Sequence, residues 1–460
     1  MKIIFIQLVL FIGFISLIFS QQIPNELLEF KVQKLLTDAG QNWETNTMFG
    51  PHRFQSVSKT NLKKSIKFDS LNVRTWTGIF TKNGATAFYG FAQLSFKKHY
   101  YGYLYPRIFN DPDPFMRFES MERNVSRGGP NAGKKDISGI GFQNDWITLQ
   151  LGTGRESWGA GNDIQLALSE NSGNYDYLLL GSDYGKVRVR YIHGFLENVE
   201  QNINRYITAR GLEWTNKRSF IIGFSETVIY SGEDRSMDIG YFNPMSSHLE
   251  IELNDRLNVI GDGNSNAVWQ VHLDYYLNKY IRFSGNYLYD EFVIDQNIEL
   301  EKEHGKAFSI RLAYTPLFSN NHLITLYSSL IYVGTPTFRH GIGTNNFVQD
   351  GRPLGWHRGS DGQDLVIGIN YFNNNDLIIS FSAGHFQSGE ETITNRVFES
   401  YSDYLRGPFP SGQVNKTFYV ETHFTYRWKE YYSLSSALHY SSNINLLDHK
   451  VSIQISQPFQ

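Results

Sequence analysis

From Phe418 to Trp428 every second residue belongs to one face. Phe418, Val420, Phe424, Tyr426 and Trp428 are apolar or aromatic, with Thr422 completing the row. Tyr419, Glu421, His423, Thr425 and Arg427 stand between them. A period of two is the mark of a strand, and ~9–11 residues is the length of a strand that crosses a bilayer at a tilt. The same alternation recurs along most of the chain. Ala267, Trp269, Val271, Leu273, Tyr275 and Leu277 oppose Gln270, His272 and Asp274; Phe308, Ile310, Leu312 and Tyr314 oppose Ser309, Arg311 and Ala313.

A soluble sandwich also alternates, so the connections carry the decision. Many are tight and rich in Asn, Asp and Gly, which tolerate positive φ: Lys82-Asn83-Gly84, Gln143-Asn144-Asp145, Asp183-Tyr184-Gly185, Thr215-Asn216-Lys217, Asn278-Lys279, Asn373-Asn374-Asn375 and Lys429-Glu430. The others are long: 99–135, 153–175, 231–266, 334–364 and 389–416. Tight turns on one side and long loops on the other define an all-β transmembrane antiparallel barrel. Strands are expected near 50–58, 73–81, 86–96, 136–142, 146–153, 176–183, 187–196, 205–214, 218–230, 266–277, 279–290, 306–315, 323–333, 364–372, 376–387, 417–427, 431–442 and 448–457. That is about eighteen, an even number, as a barrel with both ends of the chain in the periplasm requires. The first strand is weakly patterned, and 100–109 reads as either a wall strand or a hairpin within an outer loop.

Composition agrees. Phe (34), Tyr (28) and Gly (40) are abundant while mean hydropathy is negative, as expected when lipid-facing and lumen-facing residues alternate. The net charge of −3 gives no reason to expect nucleic acid. With no cysteine, neither disulfides nor thiolate metal sites are available. Lys2, the apolar run from Ile3 to Phe19 and the small Ser20 before Gln21-Gln22 predict a signal peptide over 1–20. No other run reaches the ~18 apolar residues of a spanning helix. Pro24 to Gly40 predicts a helix with Asn25 as its cap, so 21–48 is expected to be a periplasmic helical segment, docked at the barrel mouth, ahead of a barrel over 49–460. The expected location is the outer membrane of a Gram-negative bacterium with the long loops facing outward. The expected partners are outer-membrane lipid and the barrel-assembly machinery.

By strand parity, Arg, Asp, Trp and Tyr concentrate on the long-loop mouth. Aromatic planes stack on sugar C–H faces, Asp and Asn bond hydroxyls, and Arg pairs bidentately with carboxylates. The candidate polysaccharide ligands are Arg155, Glu156, Trp158, Asn162, Asp163, Arg235, Tyr241, Asn243, Asp290, Glu291, Arg352, Trp356 and Arg358. A second reading of Arg155, Glu156 and Asp163 stays open, in which they form a salt-bridged plug inside the lumen. Trp158 has a second reading too, as an interface-belt aromatic.

Gly154-Arg155, Trp158-Gly159-Ala160-Gly161 and Leu166 to Asn171 resemble the Gly-Arg…Trp-Gly-Pro-Gly…Leu-Ser-Asn signature of the Wzi-type capsule-assembly proteins. Ile222 to Tyr230, Tyr241-Phe242-Asn243-Pro244 and Asp290-Glu291-Phe292 extend the resemblance over about 140–300, with Ala160 standing where many relatives have Pro. The resemblance implies an eighteen-stranded outer-membrane barrel with a small periplasmic helical part. It also implies binding of capsular or exopolysaccharide at the cell surface. A diffusion channel and a surface protein for adhesion or gliding are the alternatives. No Gly-x-Ser-x-Gly elbow or His-Glu-x-x-His zinc motif occurs, so no enzyme, cofactor or metal is expected. Asp361-Gly362-Gln363-Asp364 lacks the full calcium-loop pattern.

Overall fold

The computed structural model describes residues 24, 27–41, 43, 46–50, 66–68, 71–97, 99–111, 131–200, 202–254, 265–290, 302–318, 322–373, 376–401, 406–428, 432–443 and 446–457. The expected signal peptide and the Asn25 cap lie outside them.

Eighteen antiparallel strands close into a barrel. They are β1 (Leu71–Lys82), β2 (Ala85–Phe96), β3 (Tyr100–Phe109), β4 (Asn131–Gln143), β5 (Ile147–Gly154), β6 (Tyr175–Asp183), β7 (Val187–Val199), β8 (Ile203–Thr215) and β9 (Phe220–Glu233). The wall continues with β10 (Ser265–Asn278), β11 (Ile281–Tyr289), β12 (Lys306–Phe318), β13 (His322–Val333), β14 (Gly362–Asn373), β15 (Leu377–Ser388), β16 (Asn415–Trp428), β17 (Tyr432–Ser441) and β18 (Leu446–Gln457). Each strand pairs with its neighbours in sequence, and β18 closes onto β1 from Lys450↔Lys82 to Gln457↔Thr75. Closure leaves no open edge in a medium that cannot hydrogen-bond one.

Alternation sets the two faces. On β16, Phe418, Phe424, Tyr426 and Trp428 are exposed on the outside, whereas Thr417, Tyr419 and Thr425 are buried on the inside. Exposed Phe88, Ile140, Leu151, Leu312 and Ile367 continue the outer belt on other strands. Such a belt is stable only against acyl chains, since water would leave an apolar patch far larger than soluble proteins tolerate.

Two expectations change together. Residues 49–50 are not a wall strand; Phe49–Gly50 pairs with Ser157–Trp158 inside the lumen, and 51–58 lie outside the described residues. Tyr100–Phe109 is a wall strand instead, paired with β2 and β4. The turn at Lys97 therefore joins the tight-turn end, and Asn83-Gly84 moves to the long-loop end. Both Asn83 and Gly84 have positive φ, as a two-residue hairpin needs. The other strands stand within a few residues of their expected positions.

The predicted helix forms as α1 (Leu28–Asp38) and lies inside the barrel, across its tight-turn end. Leu27 and Phe30 pack with Trp76, Phe91 and Tyr105 on one side of the wall. Val32, Leu35 and Ala39 pack with Leu323, Phe372 and Ile378 on another. Polar ties fix its height: Trp76 Nε1 donates to Glu29 at 3.1 Å, and Arg311 Nη2 meets Asp38 at 2.6 Å. Lys31 Nζ donates to Thr425 and Ser435, both at 3.1 Å. Burying each large apolar side chain contributes about 1.5–3 kcal/mol, so this packing rather than helix propensity holds α1 in place.

Candidate functional site

The connection from β5 to β6 leaves the wall at Gly154 and turns into the lumen. Phe49–Gly50 and Ser157–Trp158 pair there, with the Phe49 and Trp158 rings 5.0 Å apart edge to face. Asn286 on β11 clamps the next segment, accepting from Ala160 N at 2.7 Å and donating to Ala160 O at 3.1 Å. Gly159 has φ +141°, and a Cβ there would sit 2.9 Å from Asn286 Oδ1. Only glycine lets the backbone come this close to the wall.

The loop descends as far as α1. Asn162 Nδ2 donates to Lys34 O at 2.8 Å. Lys34 Nζ bridges Asp163 at 2.5 Å and Glu170 at 2.7 Å, and Ser157 Oγ donates to Glu170 at 2.7 Å. Burial alone would depress the Lys34 ammonium, but the Asp163 and Glu170 carboxylates outweigh it and raise its pKa. Burial opposes the Glu170 charge as well, and Lys34 and Ser157 together hold that carboxyl below the usual range.

Two further loops complete a plug. Ile164, Leu166, Leu168, Phe338, Phe347, Leu354, Trp356 and Ile393 form one apolar core with inward wall residues including Ile192, Ile207, Ile229 and Val268. Arg205 on β8 is fully buried and donates to Thr344 O (2.6 Å), Asn346 O (2.7 Å) and Val348 O (2.9 Å). Asp361 accepts from Thr335 Oγ1 at 2.8 Å, Ser411 N at 2.9 Å and Glu391 N at 3.1 Å, joining the second and third loops. Its carboxylate is therefore committed to structure.

Most candidate ligands sit within this architecture rather than on a surface. Arg155 donates to Asn174 at 2.5 Å, and Glu156 accepts from Trp158 Nε1 at 3.1 Å and Tyr177 OH at 2.8 Å. Trp158 is 1% exposed and Trp356 2% exposed, so neither offers a ring to solvent. Asp290 accepts from Phe338 N, and Arg358 lies over the Phe386 and Tyr419 rings beside Asp364. Arg235 and Tyr241 are buried outside the lumen, against the outer wall, with Asn243 exposed nearby. Glu291 lies outside the described residues. Arg352 is half-buried beside the turn at Asp350-Gly351 of a small hairpin, and Asp163 keeps a side chain 58% exposed.

Exposure identifies what the sequence did not single out. His423 points inward from β16 yet is exposed, and Glu421 and His439 beside it are only half-buried. An inward residue is exposed only where interior space lies in front of it. His357 on the second loop is exposed too, and it interacts electrostatically with Glu421 and Asp163. His423 does so with Lys31, Asp163 and Lys450. Glu421 accepts from His439 Nδ1 at 2.9 Å. The result is a polar pocket inside the barrel, between α1, the plug and the β16–β18 wall. Its imidazoles and carboxylates suit hydroxyl recognition. Among the described residues no group of three or more His, Asp or Glu is placed to hold a metal ion. The signal was in the alternation: Glu421, His423 and His439 are charged or titratable residues on lumen faces. A second recess, of about 380 Å³, lies at the long-loop rim and is lined by Glu200, Asn202, Ser231, Glu233 and Thr344 among others.

A closed eighteen-stranded barrel with a lipid-facing belt is an outer-membrane β-barrel. No family model matches the chain, and no curated protein matches it. Among solved structures it is similar to Wzi of Escherichia coli, described as an outer-membrane protein involved in group 1 capsule assembly and a carbohydrate-binding β-barrel. That match has a TM-score of 0.58 and 13% identity and covers 84% of each chain. A BenF-like porin of Pseudomonas fluorescens (TM-score 0.48, 9% identity, 85% of this chain and 98% of that one) and OprD of Pseudomonas aeruginosa (0.46, 10%, 85% and 94%) are also similar. At 13% identity the likeness to Wzi shows the fold alone.

Proposed function

We propose that this chain binds polysaccharide at the cell surface and helps to assemble or anchor it there, with its long loops facing the exterior. The observation that carries this reading is the filled lumen. A diffusion channel needs a continuous aqueous path, and here α1 crosses one end while three loops share an apolar core in the other. What remains open is a polar pocket and a loop-built mouth, which suit holding a chain of hydroxyls rather than passing solutes. The resemblance at Gly154–Asn171 and the likeness to a carbohydrate-binding barrel support the same reading, and on it the chain is a Wzi-type protein.

Arg352 at the mouth is the proposed first sugar contact, and Asp163, His357, Glu421 and His423 are the proposed contacts in the pocket behind the plug, reached when the plug loops part. Arg155, Glu156, Trp158, Asn162 and Trp356 act by shaping the plug. The test is binding of surface polysaccharide, purified from the same organism, to the detergent-solubilised barrel. His423→Ala and Glu421→Gln should each weaken binding about tenfold, the loss of one hydrogen bond to a charged group. A deletion strain should shed polysaccharide into the medium. Unaltered retention, together with no measurable binding by the purified protein, would sink the proposal.

A further inference from the structure

The connection from β9 to β10 does not project from the mouth. Its described part, 234–254, folds back down the outside of the wall. Strand parity fixes this. On β8 the outward row is Tyr206, Thr208, Arg210, Leu212 and Trp214; on β9 it is Ile222, Phe224, Glu226, Val228 and Tyr230. Leu212, Trp214, Ile222, Phe224 and, on β10, Val271 are exposed members of the lipid belt. Above them the same rows are covered. Tyr191 OH donates to Tyr241 O at 2.6 Å, Tyr206 OH to Arg235 O at 2.8 Å, and His248 N to Glu226 at 3.0 Å. The rings of Tyr206, Tyr230, Tyr241 and His248 stack in a column with centroids 5.1, 4.9 and 6.2 Å apart.

Beneath this flap lies an ion pair that lipid would not tolerate. Arg210 and Glu226 are register partners on the outward face, with Nε and Oε2 3.1 Å apart. Trp269 Nε1 also donates to Glu226 at 2.9 Å. Charges on the lipid side of a barrel cost about 2–4 kcal/mol near the bilayer midplane. The flap removes that cost by covering them, and presents apolar side chains in their place: Ile239 is 82% and Met245 87% exposed, with Phe242 and Leu249 exposed beside them.

We propose that the flap is a lipid-contacting element, and that Ile239, Phe242, Met245 and Leu249 rest in acyl chains. The belt itself is the argument. On β16 exposed outward apolar residues run from Phe418 to Trp428, whereas on β9 they stop at Phe224. The flap's apolar residues restore the missing upper part of the band. Asn243 and Ser247 share the exposed surface, which places the flap at the boundary of headgroups and acyl chains. This inference does not rest on polysaccharide binding.

The natural absence of cysteine makes the test direct. Ile239→Cys and Met245→Cys are labelled with an environment-sensitive fluorophore and the full chain is reconstituted in phosphatidylcholine vesicles. Ile222→Cys serves as a belt control and Glu200→Cys as an aqueous one, with folding checked by heat-dependent gel mobility. Brominated acyl chains should quench both flap labels to within about twofold of the Ile222 control, and iodide should quench them at least threefold less than the Glu200 control. Strong iodide quenching with no effect of brominated lipid would put the flap in water and overturn the proposal. So would protection from both quenchers together with cross-linking between copies, which would make the flap a protein interface.

Discussion

Lys34 shows what one residue contributes at the centre of this molecule. Its ammonium bridges Asp163 and Glu170, and so connects α1 to the first plug loop. Breaking a buried pair strands the remaining charge and costs about 3–5 kcal/mol, while removing both partners costs far less. Lys34→Met should therefore destabilise the folded barrel by about 3 kcal/mol in urea titrations, and Lys34→Met with Glu170→Met should recover most of it. A single variant within ~0.5 kcal/mol of the parent would contradict this account. The pH dependence follows from the signs of the shifts. Glu170 is lowered, so its contribution is complete above its ordinary 4.5 and is lost as pH falls through a lower folded value. Lys34 is raised, so its contribution is complete below 10.5 and is lost as pH rises through a higher folded value. The parent-to-Lys34→Met stability difference should stay flat between those limits and shrink outside them.

At the scale of elements, the plug depends on close backbone contacts that a side chain would break. A Cβ on Gly355 would lie 1.6 Å from Leu166 O, and Trp356 N donates to the same oxygen at 3.0 Å. Gly355→Ala should separate the first and second loops at a cost of about 1–3 kcal/mol or more. Limited proteolysis should then cut within 155–174 while the wall stays resistant; unchanged resistance of that loop would show that the loops are not interdependent. This is also the scale at which the sequence is informative and at which it fails. Strand positions were legible because a two-residue period needs only local residues to express it. β3 was ambiguous because both of its faces are largely apolar or aromatic, Tyr101, Tyr103 and Tyr105 inside and Tyr100, Leu104 and Ile108 outside, so polarity does not alternate. Parity assigns a loop to an end but not a direction from it. Whether 155–174 enters the lumen is decided by Asn286 and Lys34, each more than a hundred residues away. The flap did leave a local trace, since Arg210 and Glu226 each put a charge into an outward row that is otherwise uncharged. The histidine pocket left one too, in Glu421 and His423 on a lumen face, but the alternation cannot distinguish a filled lumen from an open one.

For the whole molecule, the two closures act in series. α1 blocks the tight-turn end through Leu27, Phe30, Leu35 and Ala39, and the loop core blocks the other end through Leu166, Leu354, Trp356 and Ile393. Resistances in series add, so opening one barrier leaves current limited by the other. The intact chain in planar bilayers should thus show almost no single-channel conductance. Deleting 24–41, which removes α1, should raise it only slightly. Deleting 156–172 with a short Gly-Ser bridge should likewise have little effect alone, and the two deletions together should give a steady open pore. Folding of each variant is confirmed by its heat-dependent gel mobility before recording. A large, steady conductance from the unaltered chain would mean that the plug is displaced in the membrane, and the case for a binding protein over a channel would fall with it. A pore that opens fully on loss of α1 alone would show instead that the loop core leaks, and that α1 is the sole seal.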